Sequence, residues 1–127
     1  MNKLILSAYL DGLMNMATSL SKSIGPSFVT VNCYDKEEFN KEYKIKYSPT
    51  SLSYKDKLEE WFIDDKKAVE SIIYWTNRYV KEIKSIYIIN NKDLELFKKD
   101  NPLYFIEDVF ILETTNYLIT YVIGNNE

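Results

Sequence analysis

The sequence predicts an α+β fold in a single domain, residues 1–127: an antiparallel sheet of about four to five strands, helices packed on one face, and a C-terminal β-hairpin. Three observations predict it. Apolar residues recur at three-four spacing over two long stretches, 5–24 and 54–84. Runs rich in β-branched and aromatic residues occur at 28–34, 43–47, 104–113 and 117–123. The last two runs are separated only by Thr114-Thr115-Asn116, which suits a hairpin whose final loop residue is left-handed.

The opening helix sets Ile5, Tyr9, Leu13, Met16, Leu20 and Ile24 along one stripe, widened by Leu6, Leu10 and Ala17. Gly25-Pro26 stops it, because Gly accepts the left-handed cap and Pro cannot continue a helix. Residues 1–34 carry only Lys3, Asp11 and Lys22, which leaves the opposite face short of charge. Such a helix is expected to be covered on two sides, or to pack against a partner or a second copy of the chain.

Phe28–Tyr34 and Tyr43–Tyr47 are expected to pair as a hairpin connected by the charged stretch Asp35–Lys41. A loop follows at 48–53, and Ser53 with Asp56 makes a capping box for the next helix. Over 54–84, Leu58, Trp61, Phe62, Val69, Ile72, Ile73, Thr76, Val80 and Ile83 share one helical face. An unbroken helix of that length would run about 46 Å. A globule of this chain length is only about 36 Å across, so a break is expected at Ile63-Asp64-Asp65, with either Asp as cap. Ile86–Ile89 is a short buried strand closed by Asn90-Asn91, and Asp93–Asp100 a short helix ahead of Pro102. In the terminal hairpin the expected register sets Glu113 opposite Tyr117, Ile111 opposite Ile119, Val109 opposite Tyr121 and Glu107 opposite Ile123.

Composition removes most function classes. The 127 residues include no His, one Cys and 11 Tyr, with a net charge of −3. No His means no Ser-His or Cys-His catalysis, and one Cys means no disulfide framework or Cys-based zinc cluster. The acidic balance argues against nucleic acid as partner. The basic-aromatic run Lys41, Tyr43, Lys44, Lys46, Tyr47 alternates as a half-buried strand does, with both Tyr on one face. Gly12, Gly25 and Gly124 are too scattered to cradle a phosphate, and no cofactor is implied. The first apolar run ends at Asp11-Gly12, before a signal peptide would be complete, and residues 4–20 are too polar to span a membrane. The expectation is therefore a cytoplasmic protein, with Cys33 a buried apolar residue.

The strongest catalytic pattern is a metal-nuclease arrangement of Asp35, Glu42 and Lys44, two carboxylates for Mg²⁺ and a lysine for the attacked phosphate. Glu-x-Lys occurs twice, the second time at Glu82–Lys84, as composition alone would give. The pairs Glu59-Glu60 and Asp64-Asp65 suit solvated faces and caps better than acid–base chemistry. The expectation is a non-enzyme.

Charge is balanced over 35–100, while residues 101–127 hold Glu107, Asp108, Glu113 and Glu127 and no base. Glu107, Asp108, Glu113, Tyr117 and Tyr121 are accordingly the candidate partner-binding residues, a surface for a basic protein. Small acidic chains without catalytic equipment are typical of inhibitors such as immunity or anti-defence proteins, which act by occlusion. A self-associating domain, joined through the first helix, is the alternative, and the nuclease the lesser one.

Overall fold

The computed structural model describes residues 2–20, 28–100 and 104–126. The elements are α1 (Lys3–Leu20), β1 (Phe28–Asp35), α2 (Lys36–Glu42), β2 (Tyr47–Pro49), α3 (Tyr54–Trp61), α4 (Lys66–Asn77) and β3 (Ile83–Ile89). A 3₁₀ segment, Asn91–Asp100, then leads to β4 (Tyr104–Thr114) and β5 (Tyr117–Asn126). The five strands form one antiparallel sheet in the order β1-β5-β4-β3-β2. The α+β class and the C-terminal hairpin are as the sequence predicts. The helix stop at Gly25-Pro26, Ile24 on the first stripe, and Pro102 lie outside the described residues.

Two cores sandwich the sheet. Leu6, Leu10 and Met14 of α1, Leu58 and Trp61 of α3, and Val69 and Ile72 of α4 pack on Val31, Phe110, Leu112, Ile119 and Tyr121. The other face carries Phe39 of α2 and Phe97 of the 3₁₀ segment over Val109, Ile111, Leu118 and Val122. There Tyr43 stacks on Phe97 with ring centroids 4.6 Å apart. α1, α3 and α4 thus share one face, and α2 and the 3₁₀ segment close the other.

The expected hairpin of 28–34 with 43–47 does not form: β1 and β2 stand at opposite edges of the sheet. The charged stretch between them is not a turn but α2, anchored by one fully buried residue, Phe39. Residues 43–46 keep the burial alternation of a strand, yet lie outside any ladder; only Tyr47–Pro49 pairs, with β3. β1 pairs instead with β5, from Phe28↔Gly124 to Asp35↔Tyr117.

The polar groups of α1 have a structural task. Asp11 Oδ1 accepts from Val31 N (2.8 Å), Asn15 Nδ2 donates to Val29 O (2.7 Å), and Ser7 Oγ donates to Val31 O (3.1 Å). Spaced four apart on the helix, these side chains serve the β1 backbone where a further strand would otherwise pair, one way of closing a sheet edge. Burial pushes the Asp11 carboxyl above its ordinary range, and the Val31 N–H bond pulls it back only in part.

The predicted break is present. Ser53 and Asp56 form the reciprocal capping box, with bonds of 2.8 and 3.1 Å. α3 ends at Trp61, Asp64 takes a left-handed φ of 60°, and the Asp65 side chain accepts from Ala68 N. Of the two aspartates one makes the turn and the other the cap. α4 ends at Asn77, earlier than the helical period suggests, and Ile83 already belongs to β3.

Gly124 answers to a close approach. A Cβ there would sit 1.8 Å from the Phe105 carbonyl oxygen and 2.7 Å from the Phe28 ring. It lies beside the bulge between Ile106 and Asp108 that interrupts the β4–β5 ladder.

Candidate functional site

The β4–β5 loop is two residues, Thr115 and Asn116, one shorter than the sequence suggests. The register follows: Glu113 faces Leu118, Leu112 faces Ile119, and Phe110 faces Tyr121. A slip of one residue exchanges the faces of one strand relative to the other. Tyr117, Ile119 and Tyr121 therefore share a face with Phe110 and Leu112, and not with Val109, Ile111 and Glu113 as expected.

The five candidate partner-binding residues consequently do not form one surface. Tyr121 is wholly buried, stacked on Phe110 at 4.7 Å, and its hydroxyl accepts from Tyr54 Oη at 3.0 Å. Burial drives the Tyr54 hydroxyl up to about 12 and that of Tyr121 well above its ordinary value. Tyr117 is half-buried against the same core. Asp108 sits under α3: its Oδ2 accepts from Lys57 Nζ (2.8 Å) and Trp61 Nε1 (2.9 Å). Lys57 is itself buried, and its ammonium also reaches Glu60 at 3.1 Å.

Burial alone would lower the Lys57 pKa, but the hydrogen bonds and charges of Asp108 and Glu60 outweigh it and hold the ammonium above its ordinary value. Glu113 accepts from Lys36 Nζ (3.1 Å) and Tyr87 Oη (3.0 Å). Burial would raise its carboxyl, yet those two partners hold it below the usual range. Glu107 is exposed at the bulge and accepts from Asn125. Asp108 and Glu113 are thus engaged inside the fold.

The residues of the nuclease arrangement are spread along α2 and just beyond it. Asp35 precedes α2 and Glu42 ends it, so the helix rise sets them about 10 Å apart. Two carboxylates on one Mg²⁺ each need an oxygen about 2 Å from the ion. The nearest basic partner of Asp35 is Lys3, at 3.3 Å, and Lys3 also binds Glu38 at 2.9 Å. No group of three or more His, Cys, Asp or Glu among the described residues is placed to hold a metal ion. Cys33 is buried, which raises its thiol to about 12 and leaves little thiolate at neutral pH.

Exposed apolar residues gather instead along α1 and α4. On α1, Ile5, Met16 and Leu20 are 54, 63 and 75% exposed, although all three belong to the stripe expected to face the core. The buried face is one step round, at Leu6, Leu10 and Met14. α4 lies alongside, tied by Tyr9: its hydroxyl donates to Trp75 O (3.0 Å) and its ring meets Tyr79 edge-on at 4.4 Å.

At the C-terminal end of α4, Tyr74, Trp75 and Tyr79 are 56, 43 and 42% exposed. Tyr74 packs edge-on against Trp75, and the Arg78 guanidinium lies 5.7 Å from the Trp75 ring. Between Leu13, Met16, Ala17 and Leu20 of α1 and Ala68 and Ser71 of α4 runs an open groove of about 330 Å³, with Asp65 and Lys67 at its border.

No family model, curated protein or solved structure matches the chain. No helix among the described residues is long and apolar enough to cross a membrane.

The aromatic end of α4 escapes the sequence because Tyr74, Trp75 and Tyr79 fall inside a segment whose period already explains them as helix. One signal was available: Tyr74, Trp75 and Arg78 are the residue types that dominate binding hot spots, clustered within five positions.

Proposed function

We propose that this chain is a small, non-enzymatic, cytoplasmic protein-binding module that acts by occluding a partner, as inhibitors do. The observation that carries this is the exposed cluster Tyr74, Trp75, Arg78 and Tyr79 at the end of α4. Its ring packing holds the side chains before any partner arrives, so little rotamer freedom is lost on binding. Lys81 borders the same surface, which makes the cluster aromatic and cationic. It fits a partner presenting neutral or acidic side chains, whereas Asp108 and Glu113 of the hairpin, which would attract a basic partner, are paired with lysines within the fold. The absence of histidine from the sequence supports a role without acid–base chemistry.

Photo-crosslinking in the producing cell tests this. A photoreactive side chain replacing Tyr74 is expected to capture another protein, while the same group replacing Leu96, similarly exposed on the 3₁₀ segment, is not. No adduct from position 74, or the same adducts from both positions, would remove α4 as the contact surface.

A further inference from the structure

We infer that the exposed end of α4 takes a glutamate or aspartate side chain of its partner on the Arg78 guanidinium, so that the partner segment it covers is acidic and partly apolar. This deepens the reading of α4 as a contact surface and rests on it.

The choice of residue points there first. The chain has 15 lysines and one arginine, Arg78. Arginine differs from lysine in two ways: a planar fork of N–H donors that grips a carboxylate at two points, and a flat face that stacks on aromatic rings. Arg78 uses the flat face within the fold, its guanidinium lying over the Trp75 ring at 5.7 Å. Among the described residues no carboxylate forms an ion pair with Arg78 or with the neighbouring Lys81. Glu82, next to Lys81 in sequence, accepts instead from the Thr115 hydroxyl of the β4–β5 loop.

The helix end does not call for these cations. Basic side chains near a helix C-terminus often serve its last carbonyls. Here Trp75 O accepts from Tyr9 Oη (3.0 Å), and Thr76 O accepts from Tyr79 N (3.1 Å) and Val80 N (2.9 Å). Both carbonyls are met without Arg78 or Lys81.

The surroundings fix the class of occupant. Tyr74, Asn77, Arg78, Tyr79 and Lys81, all exposed, line an open cleft of about 470 Å³. Its two charges are both positive, so it favours an acidic segment over a basic one. The tyrosine rings offer apolar area to the residues beside the carboxylate, and the Asn77 amide can both donate to and accept from a main chain. A nucleic-acid strand would need a track of cations along its phosphates. Two cations on a chain of net charge −3 are a poor track, whereas one carboxylate needs one fork.

Fluorescence titration tests this, because Trp75 is exposed while Trp61, the other tryptophan, is buried. The probes are an acetylated peptide of alternating glutamate and leucine and the same peptide with glutamine for glutamate. The wild-type chain is expected to bind the glutamate peptide about tenfold more tightly, an advantage that shrinks with added salt. Arg78→Lys keeps the charge but loses the fork, and should weaken that binding about fivefold or more; Lys81→Ala should weaken it about twofold. Equal affinity for the two peptides, no binding of either, or an Arg78→Lys variant that binds like wild type would overturn the inference. Crosslinking from position 74 would still report a protein contact on α4 in each of those cases, so the two readings fail separately. Tighter binding of a thymidine oligonucleotide or of phosphatidylglycerol vesicles than of the glutamate peptide would assign the guanidinium to phosphate and overturn the inference too.

Discussion

Asp108→Ala is expected to destabilise the fold by about 2–4 kcal/mol, measured as a lowered urea midpoint with unchanged slope. The substitution removes the acceptor of both Lys57 Nζ and Trp61 Nε1. It leaves a lysine whose side chain is 7% exposed with only Glu60, itself half in solvent, for company. Breaking a fully buried pair costs about 3–5 kcal/mol. The Asp108 carboxylate is 35% exposed, and solvent screening trims the expected loss.

A double variant, Lys57→Met with Asp108→Leu, removes both charges and should recover most of the loss, since apolar replacement of a whole pair is often neutral. The pH dependence has a definite sign. Lys57 is held above its ordinary 10.5, so the pair contributes fully below that pH, and the contribution fades as pH rises through the higher folded-state value. The wild-type chain should lose stability on that alkaline side more steeply than the double variant. A triple charge reversal at Glu107, Asp108 and Glu113 would unfold the chain before it reported on any partner.

Phe110→Ala should cost about 3–5 kcal/mol, the range for deleting a buried aromatic ring. Phe110 is fully buried at the middle of the helix-facing core. It stacks on Tyr121 at an interplanar angle of 7°, touches Trp61 at 4.8 Å, and lies 6.0 Å from the Lys57 ammonium. Tyr54 approaches its edge at 6.0 Å while donating to the Tyr121 hydroxyl. The deletion would therefore open a cavity next to a buried hydroxyl pair and beside the ion pair of α3. Unfolding followed by tyrosine and tryptophan fluorescence checks the loss, and Phe110→Leu, which fills part of the volume, should lose less than half as much.

The devices that the sequence makes legible are local ones. Ser53 with Asp56, and Asp65 with Ala68, are contacts between residues three apart, and neighbouring residues alone decide them. Pairing across the sheet is not local. β1 finds β5 some 90 residues on, and nothing in Phe28–Asp35 distinguishes that partner from the nearer run at 43–47. α2 carries a single buried residue, Phe39, too few to register as a helical period.

In the terminal hairpin the β content is plain, but the register hangs on whether Thr114 belongs to the loop or the strand. Its hydroxyl accepts from Tyr117 N at 3.0 Å, keeping it in the strand and shortening the loop by one. That one residue moved Tyr121 from an expected recognition surface into the core. On α1 two apolar stripes lie side by side, and periodicity alone does not rank them; the β1 edge does, by claiming the flank that bears Ser7, Asp11 and Asn15.

A division of labour follows: Asp108 and Glu113 hold the fold, while the exposed apolar side chains of α1 and α4 are left for contact. Equilibrium urea unfolding of a Met16→Glu/Tyr74→Ser variant, at a concentration too low for assembly, tests this most directly. Both side chains are more than half exposed. Stability is expected to stay within about 0.5 kcal/mol of wild type, as at surface sites away from the core and the buried networks. A loss of about 2 kcal/mol or more, the range of core and network residues, would make these side chains part of the core and contradict a free contact face.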